Sequence, residues 1–322
     1  MGRVLVTGGA GFIGSHVVEK LCARGDEVVV LDNFNDFYDP EIKRRNAAAL
    51  KARVVPGDIR DRELVAKLFA DERFDAVVHL AAMAGVRPSL RDPLHYADVN
   101  IRGTQVLLGE LETRPNTRFL FASSSSVYGD REDAPFREDD DIHRPVSPYA
   151  ATKRAGELLA YTHHHLYGTP TTCLRFFTVY GPRQRPEMAI HKFVDLVHRQ
   201  KPIPFYGDGS TRRDYTYVDD IVDGVVRALD RCEGYEIYNL GESATTSLAE
   251  LVRLVGEVTG MEPVLDRQPM QAGDVVLTCA DVTKARRLLG YEPRTPVREG
   301  LVRFVEWYRR SGEGKEAARS RP

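Results

Sequence analysis

A glycine-rich segment near the start of the chain constrains the fold more than any other feature of the sequence. A short apolar run at residues 4–6 leads directly into residues 7–14, which read Thr-Gly-Gly-Ala-Gly-Phe-Ile-Gly. Apolar residues then recur at helical spacing over residues 13–21, and a second apolar run at residues 28–31 ends in Asp32. The order strand, glycine turn, helix, strand and acid is typical of a dinucleotide-binding βαβ unit.

The glycines and Asp32 also indicate which dinucleotide such a unit binds. Glycines let the backbone come close to a pyrophosphate, and the helix N-terminus directs its amide groups at the same anion. Asp32 follows the glycines by about 20 residues, where a carboxylate accepts a hydrogen bond from a ribose 2′-hydroxyl and repels a 2′-phosphate. The sequence therefore predicts NAD rather than NADP as the cofactor.

The composition argues against several other classes of function. Hydrophobic residues make up 42% and charged residues 29% of the chain, as is usual for a soluble globular protein. A formal net charge of −2 gives no electrostatic reason to expect nucleic acid or a membrane surface as a partner. The cysteines form no C-x-x-C pair, and the histidines at 163–165 point in different directions around a helix, so we expect no disulfide framework and no metal site. With no membrane-length apolar run and no signal peptide before residue 3, we expect a cytoplasmic protein.

Strand and helix patterns continue to alternate through the first half of the chain. Beyond about Gly181 this alternation stops, although residues 236–240 are expected to return to the main sheet. Ser247 with Glu250 has the spacing of a capping box before a helix at 251–258. The apolar patterns predict further strands at 54–55, 76–82, 119–122 and 171–177, and helices at about 63–69, 93–112 and 149–167.

Two groups of polar residues carry the candidate chemistry. Four consecutive serines, residues 123–126, follow the predicted fifth strand, at the edge of an open α/β sheet where ligands bind. Pro148 fits a first helical turn, so Tyr149 and Lys153 lie at i and i+4 on one helix face. Tyrosine is a poor base at neutral pH, but a nearby ammonium favours the phenolate. The pair on its own is also compatible with an ordinary solvated helix N-terminus.

The glycine spacing Gly8, Gly11, Gly14, together with Tyr149 and Lys153, resembles the extended branch of the short-chain dehydrogenase/reductase superfamily. The resemblance implies an α/β fold, a Rossmann-type doubly wound parallel sheet with a smaller C-terminal α/β substrate-binding domain. We expect the NAD-binding domain at residues 1–178, with a returning segment near 218–242. Residues 179–322 then form mainly the substrate domain, with a flexible tail from about 311.

The resemblance also implies the residues around the cofactor. It assigns Asp58 and Ile59 to the adenine and gives Asn100 a role in orienting the active site. The small residues after the fourth strand suit a backbone that passes close to a cofactor, although helix–sheet packing explains them equally well. The implied cofactor-binding residues are Gly8, Gly11, Phe12, Ile13, Gly14, Asp32, Asn33, Asn35, Asp58, Ile59, Leu80, Ala81, Ala82, Asn100, Ser123, Tyr149, Lys153 and Phe176.

Within that branch the chain most resembles the nucleotide-sugar epimerases and dehydratases. Residues 7–14, 124–129, 149–153 and 213–220 match that family, and residues 32–39, 84–87 and 177–186 look like segments typical of UDP-glucuronate 4-epimerases. UDP-galactose 4-epimerases carry an asparagine where this chain has Thr178, which argues against a neutral hexose.

The family chemistry then implies a role for each catalytic residue. Ser124 and Tyr149 would hydrogen-bond the sugar 4-hydroxyl, Tyr149 would act as the base, and Lys153 would hold the nicotinamide ribose and stabilise the phenolate. Epimerisation through a 4-keto sugar regenerates NAD, which should stay bound. Related enzymes pair as homodimers through two helices per subunit, here 93–112 and 149–167, and the second of these carries more apolar residues than one core-facing stripe needs: Leu158, Leu159, Tyr161 and Leu166.

The resemblance places a UDP-sugar in the smaller domain. Arg185 would lie near C5 with Thr178, Arg213 would bind the diphosphate, and Phe205 and Tyr206 would flank the uracil. The alternatives without a role in substrate binding are a surface loop for Arg185, an interdomain salt bridge for Arg213 and an ordinary core position for the two aromatic residues. The implied substrate-binding residues are Arg87, Ser124, Ser125, Ser126, Tyr149, Thr178, Arg185, Ala189, Ile190, Phe193, Phe205, Tyr206, Arg213 and Asp274.

The sequence therefore predicts an NAD-dependent 4-epimerase that interconverts UDP-glucuronate and UDP-galacturonate. Within the enzyme class the alternatives are a UDP-glucose/UDP-galactose 4-epimerase and a UDP-glucuronate decarboxylase. A 4,6-dehydratase normally has an acidic pair after its catalytic Ser/Thr, where this chain has Ser125 and Ser126. A non-catalytic NAD-sensing protein is the alternative of another class, and such proteins usually lose the tyrosine or the lysine.

Overall fold

The structure is a computed structural model that describes residues 1–131, 133–270 and 275–311. The predicted substrate contact of Asp274 and the predicted tail beyond residue 311 lie outside these residues.

A parallel seven-stranded sheet forms the centre of the molecule, as predicted. Its strands follow the order β11-β6-β5-β4-β1-β2-β3. Short β-branched segments such as Val28–Leu31 are buried on both faces because helices cover the sheet on both sides. The strands of the described residues are β1 Arg3–Thr7, β2 Glu27–Asp32, β3 Arg53–Pro56, β4 Ala76–His79, β5 Arg118–Ser124, β6 Thr171–Phe176, β7 Thr178–Tyr180, β8 Ile203–Tyr206, β9 Arg212–Arg213, β10 Tyr215–Tyr217, β11 Tyr235–Leu240, β12 Thr246–Ser247 and β13 Leu265–Gln268.

The strand order reverses between β1 and β4, which are neighbours in the sheet. β1 also pairs with β2, so the loops after β1 and β4 diverge and leave a crevice at their carboxyl ends. The helices of the described residues are α1 Phe12–Ala23, α2 Pro40–Ala49, α3 Arg62–Asp71, α4 Val86–Arg91, α5 Pro93–Ala97, α6 Gly103–Leu111, α7 Pro148–Tyr167, α8 Ala189–His198, α9 Val218–Asp230, α10 Leu248–Thr259, α11 Thr283–Leu289 and α12 Val297–Arg310.

Local capping explains where two of the key helices begin. The Ser147 hydroxyl accepts a hydrogen bond from the Ala150 amide at 3.1 Å, and Pro148 occupies the first turn of α7. The Ser247 hydroxyl caps α10 by accepting from the Glu250 amide at 3.1 Å, so the helix starts at Leu248, earlier than the sequence predicts. α7 therefore presents Tyr149 and Lys153 from its first two turns.

Three predicted boundaries are wrong. The helix predicted at 93–112 is interrupted by a π-helical turn, Asp98–Arg102, between α5 and α6. This turn is held because the side chain of Asn100 bonds both backbone groups of Met83. β4 ends at His79, so residues 80–82 leave the sheet and line the crevice instead. β6 ends at Phe176, and Thr178 begins a separate two-stranded sheet with β10.

The C-terminal part packs over the carboxyl edge of the sheet. β8 pairs in parallel with β13, and α8, α10 and α12 pack around them. β11 returns to the main sheet beside β6, as predicted. One continuous apolar core runs from Val4 and Val30 in the sheet to Phe193 and Phe304 in this part. Among the described residues, no helix is long and apolar enough to cross a membrane.

Candidate active site

A cavity of about 490 Å³ opens at the carboxyl edge of the main sheet. Its walls come from both parts of the chain, from the glycine turn on one side to Arg213 on the other. The cavity is within the size range of small-molecule and cofactor sites. It brings together the predicted catalytic residues Ser124, Tyr149 and Lys153.

The glycine turn fits a dinucleotide because side chains have no room there. A Cβ at Gly14 would lie 2.1 Å from the carbonyl oxygen of Gly8, and a Cβ at Gly8 would lie 2.7 Å from the Ala81 amide nitrogen. Gly8 also has a positive φ of 70°. The turn is therefore tight against the segment that follows β4, with its glycines lining the cavity at the N-terminus of α1, where a pyrophosphate binds well.

Asp32 stands at the end of β2 on the cavity wall. Its carboxylate accepts from the backbone amides of Ala10 at 3.1 Å and Phe34 at 2.9 Å, which fixes its orientation. Burial raises the pKa of Asp32, and the amide hydrogen bonds and the Lys43 charge oppose that rise. The remaining acceptor capacity of the carboxylate suits the ribose hydroxyls of NAD.

Ser124, Tyr149 and Lys153 form one polar group in the cavity. Burial raises the pKa of Tyr149, and both a hydrogen bond from Ser124 and the charge of Arg185 act in the opposite direction. The Lys153 ammonium donates to the Ala122 carbonyl at 2.7 Å, and burial lowers its pKa to about 7. Nζ of Lys153 also lies 6.0 Å from the centre of the Tyr149 ring. A phenol, a hydroxyl and an amine are thus positioned for proton transfer at one point.

Asn100 lies behind this group and does not line the cavity. Its amide donates to the carbonyl of Met83 at 2.9 Å and to the hydroxyl of Thr152 at 3.0 Å. The Thr152 hydroxyl in turn donates to the Tyr149 carbonyl at 2.8 Å. The π turn therefore fixes the first turn of the helix that carries the catalytic tyrosine.

A second buried chain of hydrogen bonds, centred on His79, supports the glycine turn. The Thr104 hydroxyl donates to the Asn100 carbonyl at 2.6 Å, so it must accept from Nε2 of His79 at 3.0 Å. Nδ1 of His79 is then the acceptor for the Thr7 hydroxyl at 2.7 Å. Burial lowers the pKa of His79 to about 3, which keeps the ring neutral in this tautomer. The histidine is structural and joins the ends of β1 and β4 to the π turn.

A buried ion pair fixes the end of β5, which carries Ser123 and Ser124, against α7. Arg175 on β6 donates to both carboxylate oxygens of Glu157 on α7, at 2.8 and 3.0 Å. The Ser123 hydroxyl donates to the same carboxylate at 2.6 Å. The Arg175 guanidinium also reaches the Tyr128 hydroxyl at 2.9 Å. Ser123 and its neighbour Ser124 are therefore fixed relative to α7.

The cavity is also lined by Arg185, Thr178, Ser125 and Ser126, and the Ser126 amide donates to the Ser124 hydroxyl at 3.2 Å. The Arg185 side chain is 19% exposed and pairs with Glu187 at 3.1 Å. Its guanidinium also lies 5.4 Å from the centre of the Phe37 ring. The Ser126 hydroxyl is buried and has no hydrogen-bond partner in the described part of the chain. This wall thus offers one cation and several hydroxyls to a ligand.

The other predicted site residues divide into two groups. The first group lines the cavity together with the three glycines: Phe12, Ile13, Asn33, Asn35, Ile59, Leu80, Ala81, Ala82, Ser123, Phe176 and Arg213. The structure does not bring the remaining predicted residues into that wall: Asp58, Asn100, Arg87, Ala189, Ile190, Phe193, Phe205 and Tyr206.

Several of these outlying residues have other contacts. Asp58 accepts from Asn33 at 2.8 Å and pairs with Arg60 at 2.8 Å, so it supports the wall from behind. The Arg87 guanidinium stacks 5.5 Å from the Tyr206 ring. The side chains of Ile190, Phe193 and Phe205 belong to the apolar core.

Sequence reasoning missed part of the cavity wall. Phe37, Tyr38 and Lys43 line it, although the sequence assigned no role to them. The Lys43 ammonium donates to the Asn35 side chain at 2.7 Å and to the Asn35 carbonyl at 2.9 Å. The resemblance of residues 32–39 to an epimerase segment was the available signal. The other unpredicted wall residues include Phe177, Val179, Met188, Val275 and Thr278.

Potential metal ligands do not cluster in this site. Within residues 1–131, 133–270 and 275–311, no group of three or more His, Cys, Asp or Glu side chains is arranged to hold a metal ion.

The fold and site together define the class of protein. A parallel sheet with a glycine turn at its switch point, facing a Tyr-x-x-x-Lys helix across one cavity, is the arrangement of an extended short-chain dehydrogenase/reductase. The chain belongs to the GDP-mannose 4,6 dehydratase family, whose match covers residues 5–304.

Individual relatives are closely similar. UDP-glucuronate 4-epimerase 4 of Arabidopsis thaliana is 43% identical over 98% of this chain and 78% of its own length. The structure of UDP-glucuronic acid 4-epimerase from Bacillus cereus, in complex with UDP-glucuronic acid and NAD, aligns with a TM-score of 0.90 at 34% identity over 96% of this chain and 99% of its own. UDP-glucose 4-epimerase from Thermotoga maritima, with UDP-glucose, aligns with a TM-score of 0.88 at 36% identity over 96% of this chain and 99% of its own.

Proposed function

We propose that this protein is an NAD-dependent 4-epimerase that interconverts UDP-glucuronate and UDP-galacturonate through a 4-keto intermediate. The observation that carries the proposal is a single cavity lined by two chemically different groups of side chains. The proton-transfer wall consists of Ser124, Tyr149 and Lys153. The acid-recognition wall, Arg185 with Ser126, adjoins it through the hydrogen bond from the Ser126 amide to Ser124 and suits a carboxylate. The named relatives, which include an epimerase bound to UDP-glucuronic acid and NAD, support the same conclusion.

The proton-transfer wall supplies the chemistry at C4. Tyr149 as phenolate takes the proton of the 4-hydroxyl, and Ser124 orients that hydroxyl by hydrogen bonding. NAD, held by the glycine turn and Asp32, would supply a reversible hydride acceptor for C4. Lys153 stabilises the phenolate by its charge, and Tyr149 then gives the proton back to the product oxygen. Each turnover thus restores the starting state of every protein group.

The acid-recognition wall binds the carboxylate at C5. A guanidinium binds a carboxylate through two parallel hydrogen bonds, which a hydroxymethyl group cannot match. Ser126 has a buried hydroxyl free to donate to a ligand, and Thr178 and Ser125 stand beside it in the wall. Arg185 approaches Glu187 with its Nε atom, so other guanidinium N–H groups can donate to a second carboxylate.

This recognition also protects the intermediate. Oxidation at C4 places the C5 carboxylate β to a ketone, an arrangement that loses carbon dioxide when the C5–C6 bond aligns with the carbonyl π system. A carboxylate held by Arg185 and the hydroxyls is kept out of that alignment. The wall therefore favours epimerisation over decarboxylation.

The substrate assignment is tested with purified protein and UDP-glucuronate, with the products followed by NMR. We expect UDP-galacturonate, and mass spectrometry of gently denatured protein should release NAD. UDP-xylose as the main product would identify a decarboxylase instead. Inertness towards UDP-glucuronate with rapid turnover of UDP-glucose would identify a neutral-sugar epimerase. No turnover of any UDP-sugar, even with added NAD, would support the non-catalytic NAD-sensing protein.

We further propose a division of labour and a homodimer. Residues 1–178 with the segment 218–242 hold NAD, and residues 179–322 mainly hold the UDP-sugar.

Exposed apolar side chains support a partner surface on α7 and the helices packed against it. On α7, Leu158, Tyr161 and Leu166 are 50%, 50% and 63% exposed; on the neighbouring helices, Leu90 and Leu94 are 55% and 81% exposed. Leu159, which the sequence analysis grouped with them, packs against the core instead. A sedimentation experiment at micromolar concentration should give a dimer, and Leu166→Glu should give a monomer; a monomeric wild-type protein would contradict the proposal.

A further inference from the structure

Two neighbouring side chains of α1 contact an arginine that lies 164 to 167 positions further along the chain, in the loop between β7 and α8. Arg183 in that loop donates through Nη1 and Nη2 to the two carboxylate oxygens of Glu19, at 2.9 and 2.6 Å. The same Nη2 lies 2.8 Å from Nδ1 of His16. The Arg183 side chain is 15% exposed and the Glu19 side chain is 45% exposed, so the guanidinium is largely buried while the carboxylate faces solvent. We refer to His16, Glu19 and Arg183 as the α1 latch.

The two ring nitrogens of His16 have different roles in the α1 latch. Nε2 of His16 lies 2.9 Å from the Pro182 carbonyl, which can only accept, so Nε2 carries the proton. Nδ1 then offers its lone pair to the Arg183 guanidinium. Burial and the charge of Arg183 lower the pKa of His16 to about 4, so the ring stays neutral near pH 7. One histidine thus holds two consecutive residues of the loop.

Both ends of the latch adjoin the cavity. Phe12 and Ile13, one turn before His16 on α1, line the cavity beside the glycine turn. Arg185 follows Arg183 by two residues and lines the same cavity. Between them, Gln184 is buried and anchored to the other side, donating to the Val179 carbonyl at 3.1 Å and accepting from the His191 amide at 3.2 Å. The loop is therefore fixed from two directions with Arg185 at its cavity-facing end.

The backbone of Arg183 gives a second indication that the contact matters. Its φ is +65°, a left-handed conformation that a residue with a side chain rarely adopts. Glycine suits this conformation better, and the preceding turn already contains Gly181. The ion pair and the histidine contact offset the strain of an arginine at this position.

We propose that the α1 latch positions Arg185 for the sugar carboxylate and so couples the cofactor-binding helix to substrate discrimination at C5. This inference rests on the proposed function, because it assigns Arg185 to the acid of UDP-glucuronate. The three latch side chains are positioning residues, and none of them lines the cavity.

The test removes the latch without altering the cavity wall. Arg183→Gly deletes the side chain and suits the backbone, and Glu19→Gln keeps the shape but removes the charge. A misplacement of Arg185 should lower kcat/KM for UDP-glucuronate by about tenfold and raise the share of turnovers that release carbon dioxide. The affinities for UDP and UDP-glucose, measured by calorimetry, should change less than about twofold, because neither has a carboxylate for Arg185. Arg253→Ala, which breaks an exposed ion pair on α10, is the control and should change none of these quantities.

The outcomes distinguish a failure of the α1 latch proposal from a failure of the proposed function. An equal loss of affinity for UDP, UDP-glucose and UDP-glucuronate would show that the latch is only structural, and unchanged kinetics in both variants would show that it has no role; either result overturns the inference while the epimerase remains. A wild-type enzyme that is inert towards UDP-glucuronate would overturn the proposed function, and the inference with it.

Discussion

The Lys153 ammonium donates a hydrogen bond to the Ala122 carbonyl at 2.7 Å. Ala122 precedes Ser124 by two residues on β5. This contact therefore joins α7, which carries the base Tyr149, to β5, which carries the Ser124 hydroxyl. It also holds the lysine in a buried position, where its pKa falls to about 7. The charge state of Lys153 is therefore set by the fold as well as by the bound ligands.

Tyr149→Phe should abolish turnover while preserving the fold. The substitution removes only the phenol oxygen, so the edge-to-face contact of the ring with Tyr96, at 6.3 Å between centroids, is kept. Loss of the general base should lower kcat by about 10²–10⁴-fold. NMR of the UDP-glucuronate reaction gives the rate, and mass spectrometry should still find bound NAD. Near wild-type turnover would show that another group is the base.

Lys153→Met should affect catalysis and stability in opposite directions. Without the ammonium the phenolate loses its cation, so kcat should fall and the rising limb of the pH–rate profile should move to higher pH. The pKa of Lys153 is lowered because burial of the charged form costs free energy of folding. This cost is fully present below about pH 7, and it decreases as pH rises from 7 towards the usual pKa of 10.5. Relative to wild type, the variant should therefore gain more in Tm at pH 6 than at pH 9. An equal change in Tm at both pH values would contradict the buried-amine interpretation.

Glu157→Gln should destabilise the protein strongly. Glu157 and Arg175 are buried, at 0% and 1% exposure, so the variant leaves a guanidinium charge without its partner. We expect a loss of about 3–5 kcal/mol in the free energy of unfolding, measured by urea denaturation. Glu257→Gln removes the carboxylate of an exposed pair with Arg253 and should cost less than about 1 kcal/mol. Similar losses in both variants would contradict the role given to burial.

The same pair makes stability depend on pH in the acid range. Burial by itself raises the pKa of Glu157, but the hydrogen bonds and charge of Arg175 outweigh it and hold the pKa below the usual 4.5. The carboxylate therefore contributes stability that is fully present above about pH 4.5 and is lost as pH falls through the folded-state pKa. Wild-type stability should fall more steeply than that of Glu157→Gln between pH 5 and 3, and parallel curves would show that other carboxylates dominate.

Sequence reasoning reached the features that are local in the chain. The glycine turn, Asp32, and the Tyr149–Lys153 pair depend on spacings of a few residues, and the seven strands of the sheet followed from short apolar runs. The Rossmann type and the joint role of Ser124 and Tyr149 came from the family resemblance, which supplied relations that spacing alone does not contain. The order of the strands was not predicted and comes from the structure.

The contacts that sequence reasoning missed join residues distant in the chain. Arg183 meets Glu19 across 164 positions, and no pattern in either segment indicates the other. The π turn around Asn100 also had no local signal, because it depends on hydrogen bonds to Met83, which precedes it by 17 positions. The resemblance implied substrate contacts for Ile190 and Phe193, yet their apolar side chains pack in the core because α8 is amphipathic.

The last prediction concerns Arg185, and it separates recognition of the acid from protection of the intermediate. Arg185→Gln keeps hydrogen-bonding capacity but removes the charge, so KM for UDP-glucuronate should rise by about tenfold or more while the affinity for UDP stays unchanged. The freed carboxylate can also turn towards the C4 carbonyl, so carbon dioxide release per turnover should increase and the decarboxylated 4-keto pentose should appear. Arg185→Lys restores the charge without the two-pronged geometry, and it should recover part of the affinity but little of the protection. NMR for the products and trapping of carbon dioxide measure both effects. If Arg185→Gln raised KM equally for UDP-glucuronate and UDP-glucose and released no carbon dioxide, Arg185 would be a loop residue with no contact to the carboxylate.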